Sequence, residues 1–278
     1  MIDRMQIVEL ILKRLESERH SLKIMYNQTK NNIGYFYVDD LLPETIAFEC
    51  FKVFPKPGEM RCLKSIREYK YVSAQMDKHN DLLEKVIYAF QDKRVVELIG
   101  EVCDLESVYP DDSLYAGGLS LMNKDNFLHP HLDNSHDADR NCWRSLNLLY
   151  YVTPYWEESY GGNLELWPEG PSKSPTVIES KFNRLVIMAT HDLSWHSVNK
   201  VVVDKPRCCI SNYYFSDNPL RENDKFHVTK FRGRPEDTFT NIILDVDANI
   251  RMLIRKIFKK GIRKNPHIYK KETDLDKY

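Results

Sequence analysis

A chain of 278 residues can hold one large domain or two small ones, and either buries a substantial core. Its 42% hydrophobic and 29% charged residues are ordinary for a globular protein, and a net charge of -1 gives no overall attraction to nucleic acid, so no nucleic-acid partner is expected. No apolar run approaches the roughly 18 residues that span a bilayer, and Glu9, Lys13 and Arg14 break the stretch Ile7–Leu15, which excludes a signal-peptide core. Six cysteines (Cys50, Cys62, Cys103, Cys142, Cys208 and Cys209) form no C-x-x-C pair. That argues against a zinc ribbon and for the reduced thiols of a cytoplasmic protein, with adjacent Cys208 and Cys209 on alternate faces of one strand.

Asp3 to about Lys30 reads as a helix, with Ile7, Leu10, Ile11 and Leu15 at helical spacing. Asn31-Asn32-Ile33-Gly34 ends it, and Tyr35–Val38 is a short strand. Asp39-Asp40 then caps a second helix from Pro43 to about Phe51. Pro55–Gly58 is a turn, and residues Asp81 to about Asp104 are helical in two pieces. No repeat, low-complexity segment or Gly/Ser linker marks a domain boundary. Residues 1–113 thus form a mainly helical support within a single domain spanning 1–278.

From Leu114 the texture changes to short β-rich runs: Ala116–Met122, Ser145–Val152, Gly162–Trp167, Thr176–Glu179, Leu185–Ala189, Ser197–Val203 and Cys208–Phe215. Turn formers separate them, Gly161-Gly162 as a hairpin turn among them. Such spacing predicts an antiparallel sandwich or barrel over 114–217, an all-β core with helical additions packed outside it (α+β overall). Residues 218–278 form a basic, helical C-terminal extension. Its helix is expected from about Asp237 to Lys260, with an apolar stripe of Ile250, Leu253, Ile254 and Ile257. Arg251, Arg255, Lys256, Lys259 and Lys260 lie mostly off the stripe, and Arg263, Lys264 and Lys270 follow without an intervening acid. Such a helix either packs its stripe on the sheet or lies on an anionic membrane surface through residues 250–271.

The chemistry concentrates in Phe127–Asn134. His131 and Asp133 sit two apart, and on a strand residues i and i+2 share a face. A third donor, His196, comes 63 positions after Asp133. Two imidazoles and one carboxylate make the donor set of the 2-His-1-carboxylate facial triad of non-haem Fe(II) oxygenases. Taken alone, an H-x-D pair equally suits a surface turn. His129 is a rival for His131 but lacks a carboxylate two residues on. His136-Asp137 and His191-Asp192 resemble the His-Asp dipeptides of metal-dependent phosphohydrolases, but they fall in loop or strand texture rather than on helices. Arg207, eleven positions after His196, begins the last strand.

In this order, His131-Leu-Asp133, Tyr160-Gly-Gly-Asn-Leu-Glu-Leu-Trp167, Phe182-Asn-Arg-Leu-Val-Ile187, Trp195-His196-Ser-Val198 and Arg207 leading into Tyr213-Tyr214-Phe215 resemble the 2-oxoglutarate/Fe(II)-dependent oxygenases, the prolyl-4-hydroxylase-like branch in particular. The resemblance covers roughly Tyr115 to Phe215. It implies a double-stranded β-helix, or jelly roll. It also implies that His131, Asp133 and His196 bind Fe(II), leaving positions for 2-oxoglutarate and O2, with ascorbate as an accessory reductant. Arg207 would grip the distal carboxylate of 2-oxoglutarate, for which Lys205 is a rival without the two-pronged geometry. The family often places Ser or Thr two residues after this arginine. Cys209 stands there and is a poorer donor, so Ser211, Asn147 or Tyr151 is expected to supply the missing contact.

Because Asp133 is present, the resemblance implies hydroxylation, with release of succinate and CO2. The substrate class is read as a small molecule or a cell-envelope sugar or lipid. A protein (prolyl-type) hydroxylase is the alternative, and a non-catalytic jelly-roll ligand-binding domain is the competitor from another class. Asn123, Asp125, Asn134, His136, Arg144 and Trp195 are candidate substrate contacts. The expected location is cytoplasmic, with the basic extension allowing peripheral contact with the inner face of a membrane. The sequence leaves the oligomeric state open.

Overall fold

The computed structural model describes residues 2–237, positions 241, 243, 244, 247 and 250–253 of a following helix, and residues 268 and 269. Thirteen strands form one curled antiparallel sheet. They are β1 (Tyr35–Val38), β2 (Arg61–Lys64), β3 (Glu68–Ser73), β4 (Tyr109–Pro110), β5 (Gly118–Met122), β6 (Phe127–Leu132), β7 (Trp143–Tyr151), β8 (Leu164–Leu166), β9 (Thr176–Ile178), β10 (Arg184–Ala189), β11 (His196–Val198), β12 (Arg207–Ser216) and β13 (Lys230–Phe231). Their order is β1-β10-β7-β12-β5-β3-β6-β11-β8-β9, with β2 beside β3, β4 beside β12 and β13 beside β6. The larger half runs from β1 to β5 and the smaller from β6 to β9. Strand β3 joins them, and the curl turns both halves toward one interior, giving a double-stranded β-helix.

Four helices cover the outer face of the larger half: α1 (Arg4–Thr29), α2 (Glu44–Lys52), α3 (Asp81–Ala89) and α4 (Lys93–Val102). The reason lies in strand alternation. Leu146, Leu148 and Tyr150 of β7 and Cys208, Ile210 and Tyr214 of β12 point outward into one core with Ile7, Ile11 and Leu15 of α1 and Val86 and Ile87 of α3. The intervening residues Tyr151 and Cys209 point inward, to a second cluster with Leu164, Val186 and Met188. The adjacent cysteines thus do face opposite ways, and all six are free thiols. At the start of α1, Asp3 and Gln6 exchange backbone and side-chain hydrogen bonds in a capping box.

Four features differ from the sequence reading. First, Asp39 does not cap α2. Pro43 occupies the N-cap without a side-chain bond, while Asp39 takes Arg184 Nε at 2.5 Å and Lys181 Nζ at 2.8 Å, an ion pair 142–145 residues apart in sequence. Second, the hairpin β2–β3 lies where no strand was expected, and β3 pairs with both β5 and β6 to close the wall between the two halves. Third, β13 adds a strand inside the extension, registering Phe231 with His131. Fourth, Gly161-Gly162 is not a hairpin turn. Gly161 has φ 70°, and a Cβ there would lie 2.0 Å from the Lys200 carbonyl oxygen, so the pair lets the chain press against the 199–201 loop.

The described positions from 241 to 253 are helical. Leu244 is buried with Met122 and Leu128, and Asp247 joins Arg67 and Arg251. Ile250 and Leu253 remain 54% and 61% exposed. Ile254, Ile257 and the basic run beyond them lie outside the described residues. No helix among the described residues is long and apolar enough to cross a membrane.

Candidate metal centre

Antiparallel pairing of β6 with β11 places His131 directly opposite His196. Their ring centroids are 4.1 Å apart. Asp133, just past the end of β6, reaches back so that each of its oxygens lies 3.7 Å from one imidazole Nε2. One ligand atom from each of the three residues falls within 4.8 Å of the others, and this is the sole metal-capable cluster among the described residues. Short-range backbone geometry fixes the tautomers. Nδ1 of His131 faces the His129 carbonyl at 3.1 Å, and Nδ1 of His196 faces the Ser194 carbonyl at 2.9 Å. A carbonyl oxygen only accepts, so each Nδ1 carries the proton and each Nε2 lone pair points into the cluster.

Electrostatics suit a divalent cation. Burial, reinforced by the neighbouring His196, lowers the His131 pKa to about 3, so the ring is neutral at physiological pH. Burial alone would raise Asp133. The adjoining His196, Arg144 and His131 charges and a hydrogen bond from Tyr213 outweigh it and hold the carboxyl at about 2. The Tyr213 hydroxyl donates to Asp133 Oδ2 at 3.0 Å and itself accepts from Asn147 Nδ2 at 3.0 Å. Phe231 stacks on the opposite side of His131, 5.1 Å between centroids and 16° from parallel. Two imidazoles and one carboxylate, each oriented by an outer partner, fit an Fe(II) ion.

The interior beside the triad is a pocket, visible in the burial pattern. Ser120 in β5, Leu149 in β7, and Ser211 and Tyr213 in β12 are only half-buried although their strand neighbours are sealed. Arg207 lies at one end of the same inward row, 3% exposed. Its Nε donates to Ser180 Oγ at 3.2 Å, its Nη1 contacts Met122 Sδ at 3.8 Å, and the guanidinium lies 4.6 Å from the Tyr151 ring centroid. Among the described residues no carboxylate pairs with it. Ser180 is in turn held by the Gly162 carbonyl. The Tyr151 hydroxyl is buried without a hydrogen-bond partner. A buried cation lacking an anion, beside an unsatisfied hydroxyl, is a fitting cradle for a carboxylate.

The other anticipated residues distribute unevenly. Ser211 shares the inward row, with its hydroxyl donating to the Gly118 carbonyl. Asn147 serves Tyr213 rather than the Arg207 end. Arg144 lies 3.6 Å from Asp133 Oδ1. Asn134 bridges toward Tyr115 and the His136 carbonyl, and His136 stacks against Trp143 and Phe226. Trp195 packs with Leu132 and Trp167. Asn123 and Asp125 belong to the β5–β6 turn, Asn123 tied to Asn126 and Asp125 to Val201, without contact to the triad. Neither His136 nor His191 joins a metal cluster; His191 Nε2 donates to the Ile33 carbonyl instead. Ser180, Phe231 and the outer role of Tyr213 emerge only in the structure. Only Tyr213 had a signal, its even spacing from Arg207 along one strand.

Residues 117–215 match the family model described as the 2OG-Fe(II) oxygenase superfamily. With the fold and the His-Asp-His triad, residues 117–215 carry the likeness to the 2OG-Fe(II) oxygenases, an enzyme class whose cofactors are Fe(II) and 2-oxoglutarate. The chain's architecture is shared with prolyl-4-hydroxylases of known structure. A Pseudomonas putida prolyl-4-hydroxylase is 16% identical with a TM-score of 0.52, over 71% of this chain and 99% of that one. A Trichoplax adhaerens prolyl hydroxylase, solved with a peptide fragment of hypoxia inducible factor, is 18% identical with a TM-score of 0.53, over 73% and 92%. A Phytophthora capsici prolyl 4-hydroxylase is 18% identical with a TM-score of 0.53, over 90% and 80%. No curated protein sequence matches the chain.

Proposed function

We propose that this single-domain enzyme hydroxylates a small molecule or a cell-envelope sugar or lipid, converting 2-oxoglutarate to succinate and CO2. The observation that carries the reading is the pairing of an oriented His131-Asp133-His196 triad with a buried Arg207 that has no anionic partner. His131, Asp133 and His196 hold the metal. Arg207 holds the distal carboxylate of 2-oxoglutarate, Tyr151 donates its unspent hydroxyl to that end, and Ser211 flanks the chain of the cosubstrate. When bound, the iron and 2-oxoglutarate supply the oxidising chemistry. The protein orients the reactants, and its inward apolar residues Leu149, Val186 and Met188 keep bulk water away from them.

The mouth favours a compact substrate. Arg232 donates its backbone N–H to the Pro130 carbonyl, and Ser135 and His227 exchange hydrogen bonds. The chain's own backbone therefore occupies the ledge beside β6 where an extended peptide could run. The contrary reading, a peptide hydroxylase, draws on the shared fold with prolyl hydroxylases. Incubation with Fe(II), 2-oxoglutarate and heavy-isotope O2, followed by mass spectrometry of separated metabolite, glycan, lipid and peptide fractions, distinguishes them. Label in a non-peptide fraction supports the proposal; label confined to peptides contradicts it.

The exposure of Ile250 and Leu253 supports peripheral contact of the enzyme with an anionic membrane through residues 250–271. Cosedimentation with anionic vesicles, lost on removal of 250–278, is the expected result. No sedimentation of the full chain would contradict it.

A further inference from the structure

With the oxygenase reading in place, one buried cation in the pocket keeps its hydrogen-bond donors unspent. Arg144, the second residue of β7, is 6% exposed. Its guanidinium makes no hydrogen bond among the described residues, and its Nε is buried without an acceptor. The nearest carboxylate oxygen, Asp133 Oδ1, stands 3.6 Å away, an ion-pair contact that is too long for a hydrogen bond. Flanking rings hold the group in place, with the guanidinium 4.4 Å from the Tyr213 centroid and 5.9 Å from that of Tyr115. Taking a guanidinium out of water is unfavourable unless its charge and donors are met.

The remaining pocket charges cancel. A divalent ion, the Asp133 carboxylate, Arg207 and a dianionic 2-oxoglutarate sum to zero. Lys70, on the inward face of β3 beside His131, is neutralised by Glu68 at 3.0 Å. Arg144 is the surplus cation, and it sits beside the metal carboxylate rather than at the Arg207 end.

We infer that Arg144 anchors an anionic oxygen group of the substrate, a carboxylate or a phosphate, next to the carbon presented to the metal. The inference rests on the oxygenase reading and narrows its substrate to an anionic molecule. A planar fork of unspent donors suits either group.

The test is calorimetric titration of the Zn(II)-loaded, 2-oxoglutarate-saturated protein with inorganic phosphate and with acetate, using acetamide as the neutral control. Arg144→Gln and Arg144→Lys variants are run alongside, with metal content measured for each. Both anions, or one of them, should bind wild type while acetamide stays silent, and binding should weaken at least about tenfold in the Gln variant but only about threefold in the Lys variant. The 2-oxoglutarate affinity should be similar in all three proteins. Equal anion binding in Arg144→Gln, or none in wild type, overturns the inference. Loss of 2-oxoglutarate binding in Arg144→Gln also overturns it, since Arg144 would then serve the cosubstrate. Failure of wild type itself to bind 2-oxoglutarate would instead remove the oxygenase reading, an outcome visible before any anion is added.

Discussion

Tyr213 donates its hydroxyl hydrogen to Asp133 Oδ2 at 3.0 Å, joining β12 of the larger half-sheet to the metal carboxylate beside the smaller one. Burial and the nearby Asp133 charge push the phenol far above its ordinary pKa, so it stays a donor. Asn147 fixes its direction. Replacing Tyr213 by Phe should therefore weaken metal affinity about 10- to 100-fold while leaving the fold intact. Competition of Co(II)-loaded protein with a chelator measures it. Unchanged affinity would mean that the contact does not orient Asp133.

Arg207 has one oxygen acceptor, Ser180 Oγ, and a weak sulfur contact for its five donors. Arg207→Ala should raise the 2-oxoglutarate concentration needed for half-saturation on the order of 100-fold. Arg207→Lys should recover only part of this, because a point charge replaces the fork. Metal binding should be untouched. An equal effect on metal and cosubstrate would point to a collapsed pocket instead.

Glu165 of β8 lies behind His196 and is buried. Arg234 grips both its oxygens, at 3.1 and 2.6 Å, and Ser197 donates to it at 2.6 Å. Arg234→Ala leaves a buried carboxylate unpaired and should cost about 3 kcal/mol. Adding Glu165→Gln should return part of the loss. Urea unfolding of the four proteins completes the cycle. An additive pair of losses would show that the two side chains do not interact energetically.

Burial lowers the pKa of His191 to about 4, with the Arg221 charge adding to the effect. Between that value and the unfolded value near 6.5, the unfolded chain binds the extra proton, so stability rises with pH across the window and falls as acid is added. The shift corresponds to on the order of 3 kcal/mol. Asp224, raised to about 6 chiefly by burial, works in the opposite sense above its unfolded value. His191→Gln should reduce the acid loss of the metal-free protein between about pH 6.5 and 4 by about one proton's share of the slope, with His131, lowered to about 3, keeping its own. A pH–stability curve that keeps its slope in the variant would assign the acid sensitivity elsewhere.

Local periodicity made much of this fold legible. Tyr35–Val38 forms the strand expected of it, and the outward and inward alternation of Cys208 and Cys209 separates the two cores. His131, Asp133 and His196 were visible because their spacing carries chemistry as well as structure. What escaped depends on partners distant in sequence. Asp39 looks like a helix cap until Arg184 comes beside it. Glu68–Ser73 has mixed polarity because the strand is half-buried on both faces, with only Val72 sealed and Tyr71 packed at the edge of the main core, so no clean alternation marks β3 as a strand. Phe231 has meaning only through its register with His131, and a two-residue strand leaves no periodicity to read.

The most direct measurement is an anaerobic titration of the metal-free protein with Fe(II) and then 2-oxoglutarate, following the visible metal-to-ligand charge-transfer absorption. Wild type should bind one iron and develop the band when 2-oxoglutarate is added. His131→Ala should lose both, and Arg207→Ala should develop the band only at far higher 2-oxoglutarate. Absence of stoichiometric iron and of the band in wild type would contradict the assignment of His131, Asp133 and His196 as the metal site.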